Sequence, residues 1–505
     1  MGRTSSNRTG KRFPAPSSWL ILVAFLCVSP LRADDKETLG FGIEQVTFGP
    51  KHHMFGYIGQ CLTIPWSEDG RYILSLEVGF HDRMPQPEDT AQVVLVDTRN
   101  KNKIVPVDET RAWNFQQGTM FYWHPRAAKA QFFFNDRDPA NGHVFTVLYD
   151  VNAKRRVREY RYADTPIGNG GVSPTGHAFL GLNYGRLARL RRVTGYPGTL
   201  DWSKDHAAPP GDGIFLVDIE SGKKRLLVSY QQLARLLDKH AAGWKGTPLF
   251  INHTLWNRSG QRVYFFVRGG WGGNRGQRIN TPCSIKSDGT DLVLHEKHIG
   301  GHPEWGEGTT LIGRDGRDQI LYDVRRKRVT GRLGTPDVFP DPEGDISLSP
   351  NGRWFVNGSS AGGVNRYVVL RLSDGHYGRT SSFSRGEYRR GDLRIDSAPR
   401  WNRTNDAILV PGITTDNTRQ LFVIHVRPQS ASPTRPASRR SAGGRGVGLA
   451  SVSGGRGGAR GAAAPPPPDG PAARQSGVHR PPGVPPGSPP SSPQTRPQAQ
   501  TEDIR

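Results

Sequence analysis

Most apolar residues of this chain fall in short runs bounded by turn residues, not in the long one-sided stripes of amphipathic helices. Gln92–Asp97, Val144–Asp150, Ile214–Asp218 and Ile320–Asp323 each run apolar and then stop on an aspartate before a turn. Runs of this length and composition predict buried strands. Between them stands a recurring hairpin seed. Its fullest copy is Asp345-Ile346-Ser347-Leu348-Ser349-Pro350-Asn351-Gly352-Arg353-Trp354-Phe355-Val356. Ser-Pro opens a turn and Asn-Gly supplies the positive φ that a tight hairpin needs. Weaker copies start at Trp66, Val172, Trp256 and Trp401. One segment breaks the pattern: Tyr230–Asp238 has helical spacing and predicts a helix on a connection between strand groups.

A hairpin seed repeated at this spacing is the mark of a β-propeller. Grouping the runs gives seven blades, starting near Gln60, Gly118, Gly170, Ile251, Gly301, Asp345 and Arg394. The predicted fold is therefore all-β, a seven-bladed propeller over residues 34–427. Residues 1–33 read as a signal peptide: Arg3, Arg8, Lys11 and Arg12, an apolar run from Ser18 to Val28, and a small residue at Ala33. That run is short for a membrane span, so no span is expected once it is cleaved. Residues 428–505 collapse into Gly, Pro, Ala, Ser and Arg, which cannot bury enough apolar surface to offset ordering entropy, and read as a disordered tail.

Charge adds little to the fold. The formal net charge is +23, but much of it lies in the tail. A solvated tail is the reading of that segment, over contact with an acidic polymer, and nucleic acid is not an expected partner. The expected location is periplasmic or secreted, as a monomer. Cys27 falls in the signal peptide, leaving Cys61 and Cys283, which do not make a disulfide scaffold. There is no GxSxG, Walker loop or HExxH, so serine-hydrolase and nucleotide chemistry are unsupported.

Two His-x-x-Trp copies, His253 with Trp256 and His302 with Trp305, sit at the start of successive blades. That position faces a propeller's central channel, where neutral imidazoles can bind a metal or move protons. The tryptophans read as core wedges. The third blade carries a long insertion from Asn183 to Asp212, with Tyr184, Arg186, Arg189, Arg191, Arg192 and Tyr196 close together. Arginine grips carboxylates in bidentate geometry and tyrosine faces stack on sugars, so this loop is a candidate clamp for an acidic saccharide. Candidate carboxylates are Glu304, Asp345, Asp392 and Asp396.

These motifs, with Arg394 to Trp401 and Thr418-Arg419-Gln420-Leu421, resemble the oligogalacturonate lyase family of propellers. They look closest to a lyase-related group of exported proteins in bacteria of the planctomycete type. The resemblance implies metal-dependent β-elimination on uronate-containing oligosaccharides, the chemistry of pectin breakdown, with a divalent metal such as manganese. It implies His302, with Asp345 and Asp396, as metal ligands and His253 as the acid/base. Either Arg186 or Arg189 would act beside the sugar carboxylate. Tyr184, Arg191, Arg192 and Arg394 would bind the acidic oligosaccharide or polysaccharide. The last-blade histidine of related propellers is Ala398 here, so the metal site is either rebuilt with oxygen ligands or lost. The alternative is a non-catalytic binding propeller, similar to that of TolB.

Overall fold

The computed structural model describes residue 2 and residues 39–56, 62–240, 244, 246–271, 278–342 and 344–428. Apart from residue 2, the predicted signal peptide lies outside the described residues, as do Cys61 and the predicted tail beyond Pro428. Strands dominate. Each group is an antiparallel meander whose first strand is innermost. The first comprises His52–Met54, Tyr72–Val78, Ala91–Asp97 and Lys103–Thr110. The second, third and fourth open on Tyr122–Trp123, Gly168–Val172 and Phe250–Trp256. A fifth four-stranded sheet holds Arg400–Trp401, Ala407–Ile413, Arg419–Pro428 and, from the other end of the chain, Leu39–Gln45. The remaining strands form one nine-stranded sheet. Its two halves open on Gly300–Trp305 and Asp345–Leu348, which pair in parallel at His302 and Asp345.

This is a β-propeller. The count differs from the sequence expectation: among the described residues there are five four-stranded sheets and one nine-stranded sheet, not seven separate blades. The fusion has a local cause, the pairing of two innermost strands at the axis. The sequence reading also began the first blade at Gln60. The structure begins it at His52–Met54, too short a strand to show a period. Middle strands are buried on both faces because a neighbouring sheet covers each; Val93, Val94, Leu95 and Val96 are all core.

Indole hydrogen bonds tie neighbouring sheets. Trp123 Nε1 donates to Pro65 O at 2.7 Å, Trp256 to Gly171 O at 3.0 Å, Trp305 to Leu255 O at 2.8 Å and Trp401 to Ser347 O at 3.1 Å. Each ring thus wedges between sheets and satisfies its polar atom there. The helix read at Tyr230–Asp238 is present, with a capping box between Ser229 and Gln232. No described helix is long and apolar enough to cross a membrane.

Candidate functional site

Meander alternation puts three kinds of segment at one axial end: the starts of innermost strands, the second-to-third-strand connections, and the connections to the next sheet. His253 lies near the start of Phe250–Trp256, where the pairing slips between Asn252 and Leu255. It takes a φ of +56° in that bulge, a conformation sparsely used by non-glycine residues. Its ring stands 5.1 Å from that of His302, centroid to centroid. His302 Nδ1 hydrogen-bonds Asp345 Oδ1. Asp345 is 3% exposed, and its second oxygen accepts from Ala398 N at 2.8 Å and Ser397 Oγ at 3.3 Å. Burial alone would raise the Asp345 carboxyl, but His302 and these donors outweigh it and hold the group below its ordinary range. Asp396 moves the other way, pushed up by burial and then by the Asp345 charge, although Arg394 Nε donates to it at 2.9 Å.

Positive charge surrounds the two histidines. Arg191, Arg268 and Arg278 stack on one indole, Trp271, at 4.3, 5.1 and 4.9 Å. Arg191 Nε is buried without a hydrogen-bond partner. Burial and then the nearby Arg394 lower the Arg191 guanidinium to about 10. Burial, then the charges of Arg268, His302, Arg191 and Arg394, push His253 well down and keep it neutral. A concentration of guanidinium groups beside a neutral imidazole suits a carboxylate ligand.

The third-sheet insertion is more divided than its sequence suggests. Arg186 belongs to the core, not to a clamp: it is 0% exposed and donates to Leu249 O, Ser203 O and Oγ, His206 O and Ala207 O. Tyr184 is likewise buried, stacked on Tyr196 at 4.2 Å with its hydroxyl donating to Asn169 O, so no face is open to a sugar. Both follow from the helix Tyr184–Leu190, capped by Asn183, which turns these residues inward. Arg189 is held by Asp201 at 2.8 Å and Arg192 is exposed. Of the four arginines, Arg191 reaches the arginine group at Trp271, one residue beyond the helix.

The metal expectation does not fit the donor set. Among the described residues no group of three or more His, Cys, Asp or Glu side chains is arranged to hold a metal ion. His302 and Asp345 spend their facing atoms on each other, Asp396 has one oxygen held by Arg394, and the Ala398 side chain has no ligand atom. Sequence reasoning also missed Arg268, Trp271 and Arg278, whose signal is a Trp-Gly-Gly sequence flanked by arginines. It missed a second histidine group too. His53 bridges Gln420 Oε1 at 2.9 Å and Glu77 Oε2 at 3.2 Å, while His52 stacks on His81 at 3.9 Å. Its signal was the bare His52-His53 pair. Cys283 is a buried free thiol.

No family model and no curated protein matches the chain. Solved structures do. The chain is similar to an oligogalacturonate lyase in complex with manganese, at 15% identity and a TM-score of 0.50, covering 77% of this chain and 97% of that one. TolB from Acinetobacter baumannii matches at 13% identity and a TM-score of 0.33, covering 71% and 82%. The β-propeller domain of the Trilobed protease from Pyrococcus furiosus matches at 11% and 0.39, covering 72% and 94%. At 15% identity the likeness to the lyase is one of fold alone.

Proposed function

We propose that this chain is an exported, monomeric propeller that takes an acidic oligosaccharide or polysaccharide at the arginine-rich end of its channel. The nine-stranded sheet counts as two blades in this reading, making seven. The observation that carries the proposal is the grouping of Arg191, Arg268 and Arg278 on Trp271 beside His253 and His302. Guanidinium groups would grip a uronate carboxylate, and Trp271 would face a sugar ring.

The activity that fits is β-elimination. A base removes the proton beside the carboxylate, a carbon–carbon double bond forms, the glycosidic C–O bond breaks, and the leaving oxygen takes up a proton. His253 is unprotonated but made a weak base by burial and the neighbouring arginines, and it would accept the first proton once a bound carboxylate offsets those charges. His302, oriented through Nδ1 by Asp345, is suited to deliver the second from Nε2. The arginines would stabilise the negative charge that develops on the carboxylate. Because the donor set does not fit a metal, no step is assigned to one. A second reading, binding without catalysis, is favoured by that same loss of metal donors.

The test is incubation of the full chain with galacturonate oligomers, with elemental analysis alongside. Elimination yields an unsaturated product that absorbs in the ultraviolet. Its appearance at a rate lowered at least about 100-fold in His253→Ala supports the lyase reading. Saturable binding without product leaves the binding propeller. Neither binding nor product overturns the saccharide assignment.

A further inference from the structure

A pocket lies beside the candidate site, between the first sheet and the sheet closed by Leu39–Gln45. Met54, Phe55, Phe115 and Leu421 form apolar walls, and Arg394 and Arg419 line it. Arg419 is 3% exposed. Its Nη2 donates to Leu393 O at 2.8 Å, its guanidinium lies 4.8 Å from the Phe115 ring and 5.7 Å from Tyr388, and its Nε has no hydrogen-bond partner. Among the described residues no carboxylate lies within ion-pair distance of it. The lining holds one acid, Asp396: Arg394 donates to one of its oxygens, the other has no hydrogen-bond partner, and its charge offsets only part of the cost of burying Arg419. A buried guanidinium without a counter-ion is costly, since charges leave water only when paired and hydrogen-bonded. Burial accordingly pushes Arg419 down to about 10.

We infer that this pocket is a socket for a small carboxylate, with Arg419 as its anchor and the apolar walls around the carbon end. The socket adjoins the candidate site, sharing Arg394 and Asp396 with it, but its anchor is Arg419 and not the arginines on Trp271. Size limits the ligand. The cavity is about 40 Å³, on the order of three waters at the ~15 Å³ that each needs. A formate or acetate group fits; a sugar or benzene ring does not.

The test is calorimetric titration of the full chain with sodium formate, acetate and benzoate at constant ionic strength. Saturable binding of formate and acetate, none of benzoate, and a loss of acetate affinity of at least tenfold in Arg419→Gln are expected. Galacturonate oligomers are added as competitors. A ring-borne carboxylate is not expected to displace acetate, and displacement by the oligomers overturns the size limit as benzoate binding does. No saturable binding of formate or acetate by the unaltered chain overturns the inference without any variant having to fold. So does benzoate binding as tightly as acetate, or unchanged acetate affinity in Arg419→Gln.

Discussion

Two layers of the same innermost strands behave in opposite ways. In one, Trp256, Trp305 and Trp401 are almost fully buried and each indole has found a carbonyl on the preceding sheet. In the other, three residues earlier at His253 and His302, the two imidazoles crowd together, His253 takes a positive φ, and the charges of Arg268, Arg191 and Arg394 converge on it. The hairpins beyond the tryptophans are as well satisfied as the indoles: Ser349 Oγ accepts from Trp354 N at 2.9 Å and Asn257 Oδ1 from Arg262 N at 2.9 Å. The difference teaches where this chain has invested stability and where it has accepted strain. Sites for ligands are drawn from the second kind of layer.

The comparison breaks most visibly if the tryptophan layer is cut. Trp305→Ala should destabilise the protein by about 3–5 kcal/mol, through lost burial and an unsatisfied Leu255 carbonyl. Urea denaturation followed by far-ultraviolet circular dichroism reads this, and a loss below ~1 kcal/mol would remove the indoles from their role as ties.

Glu304 lies between the layers, one residue before Trp305, buried with Oε1 unpartnered and its carboxyl pushed up to about 7 by burial. The native state then holds a proton there that the unfolded chain releases near its ordinary value, so stability falls as pH rises through that window. The loss should approach, at most, on the order of 3 kcal/mol between pH 5 and pH 8. Glu304→Gln should flatten the trend, which paired urea midpoints at the two pH values would show. Equal slopes in the two proteins would mean that the carboxylate is solvated when charged.

In the histidine layer, effects should appear on binding and not on folding. Arg191→Ala should weaken an acidic oligosaccharide about tenfold, equivalent to about 1.4 kcal/mol, and reduce the salt dependence of binding. Titration at low and high sodium chloride measures both, and unchanged affinity would move the ligand elsewhere. Arg192→Ala, one residue along and exposed, should change stability by no more than about 0.5 kcal/mol and leave affinity unchanged. A loss like that of Arg191 would show that general loop charge, not the placement on Trp271, is what matters.

The tryptophan layer was largely legible in the sequence, because turn chemistry and strand patterning are local. Ser-Pro-Asn-Gly at Ser349–Gly352 needs no partner to declare a hairpin, and Ser229 three residues ahead of Gln232 declares a helix start. The histidine layer was legible only as residue types. Arg186 and Arg191 read alike in one arginine-rich loop, yet one is spent on core carbonyls and the other reaches Trp271. A short helix separates their fates, and its packing is decided by residues such as Leu249 and Ser203 far along the chain. Asp345 read as a metal ligand because nothing local reveals that His302 sits opposite it in a parallel pairing.

The strand Leu39–Gln45 completes the last sheet by pairing with Arg419–Pro428. Its consequence concerns time. The earliest of the described strands to leave the ribosome waits for the latest, since the register from Leu39↔Pro428 to Gln45↔Phe422 cannot form until nearly the whole described chain exists. Until then the strand Leu39–Gln45 has no partner, and the edge of Arg419–Pro428 is open once it is made, both exposed to wrong pairing. Closing so long a loop is slow but adds little equilibrium cost per doubling of length. The ring should therefore shut late and in one step, and open rarely once shut.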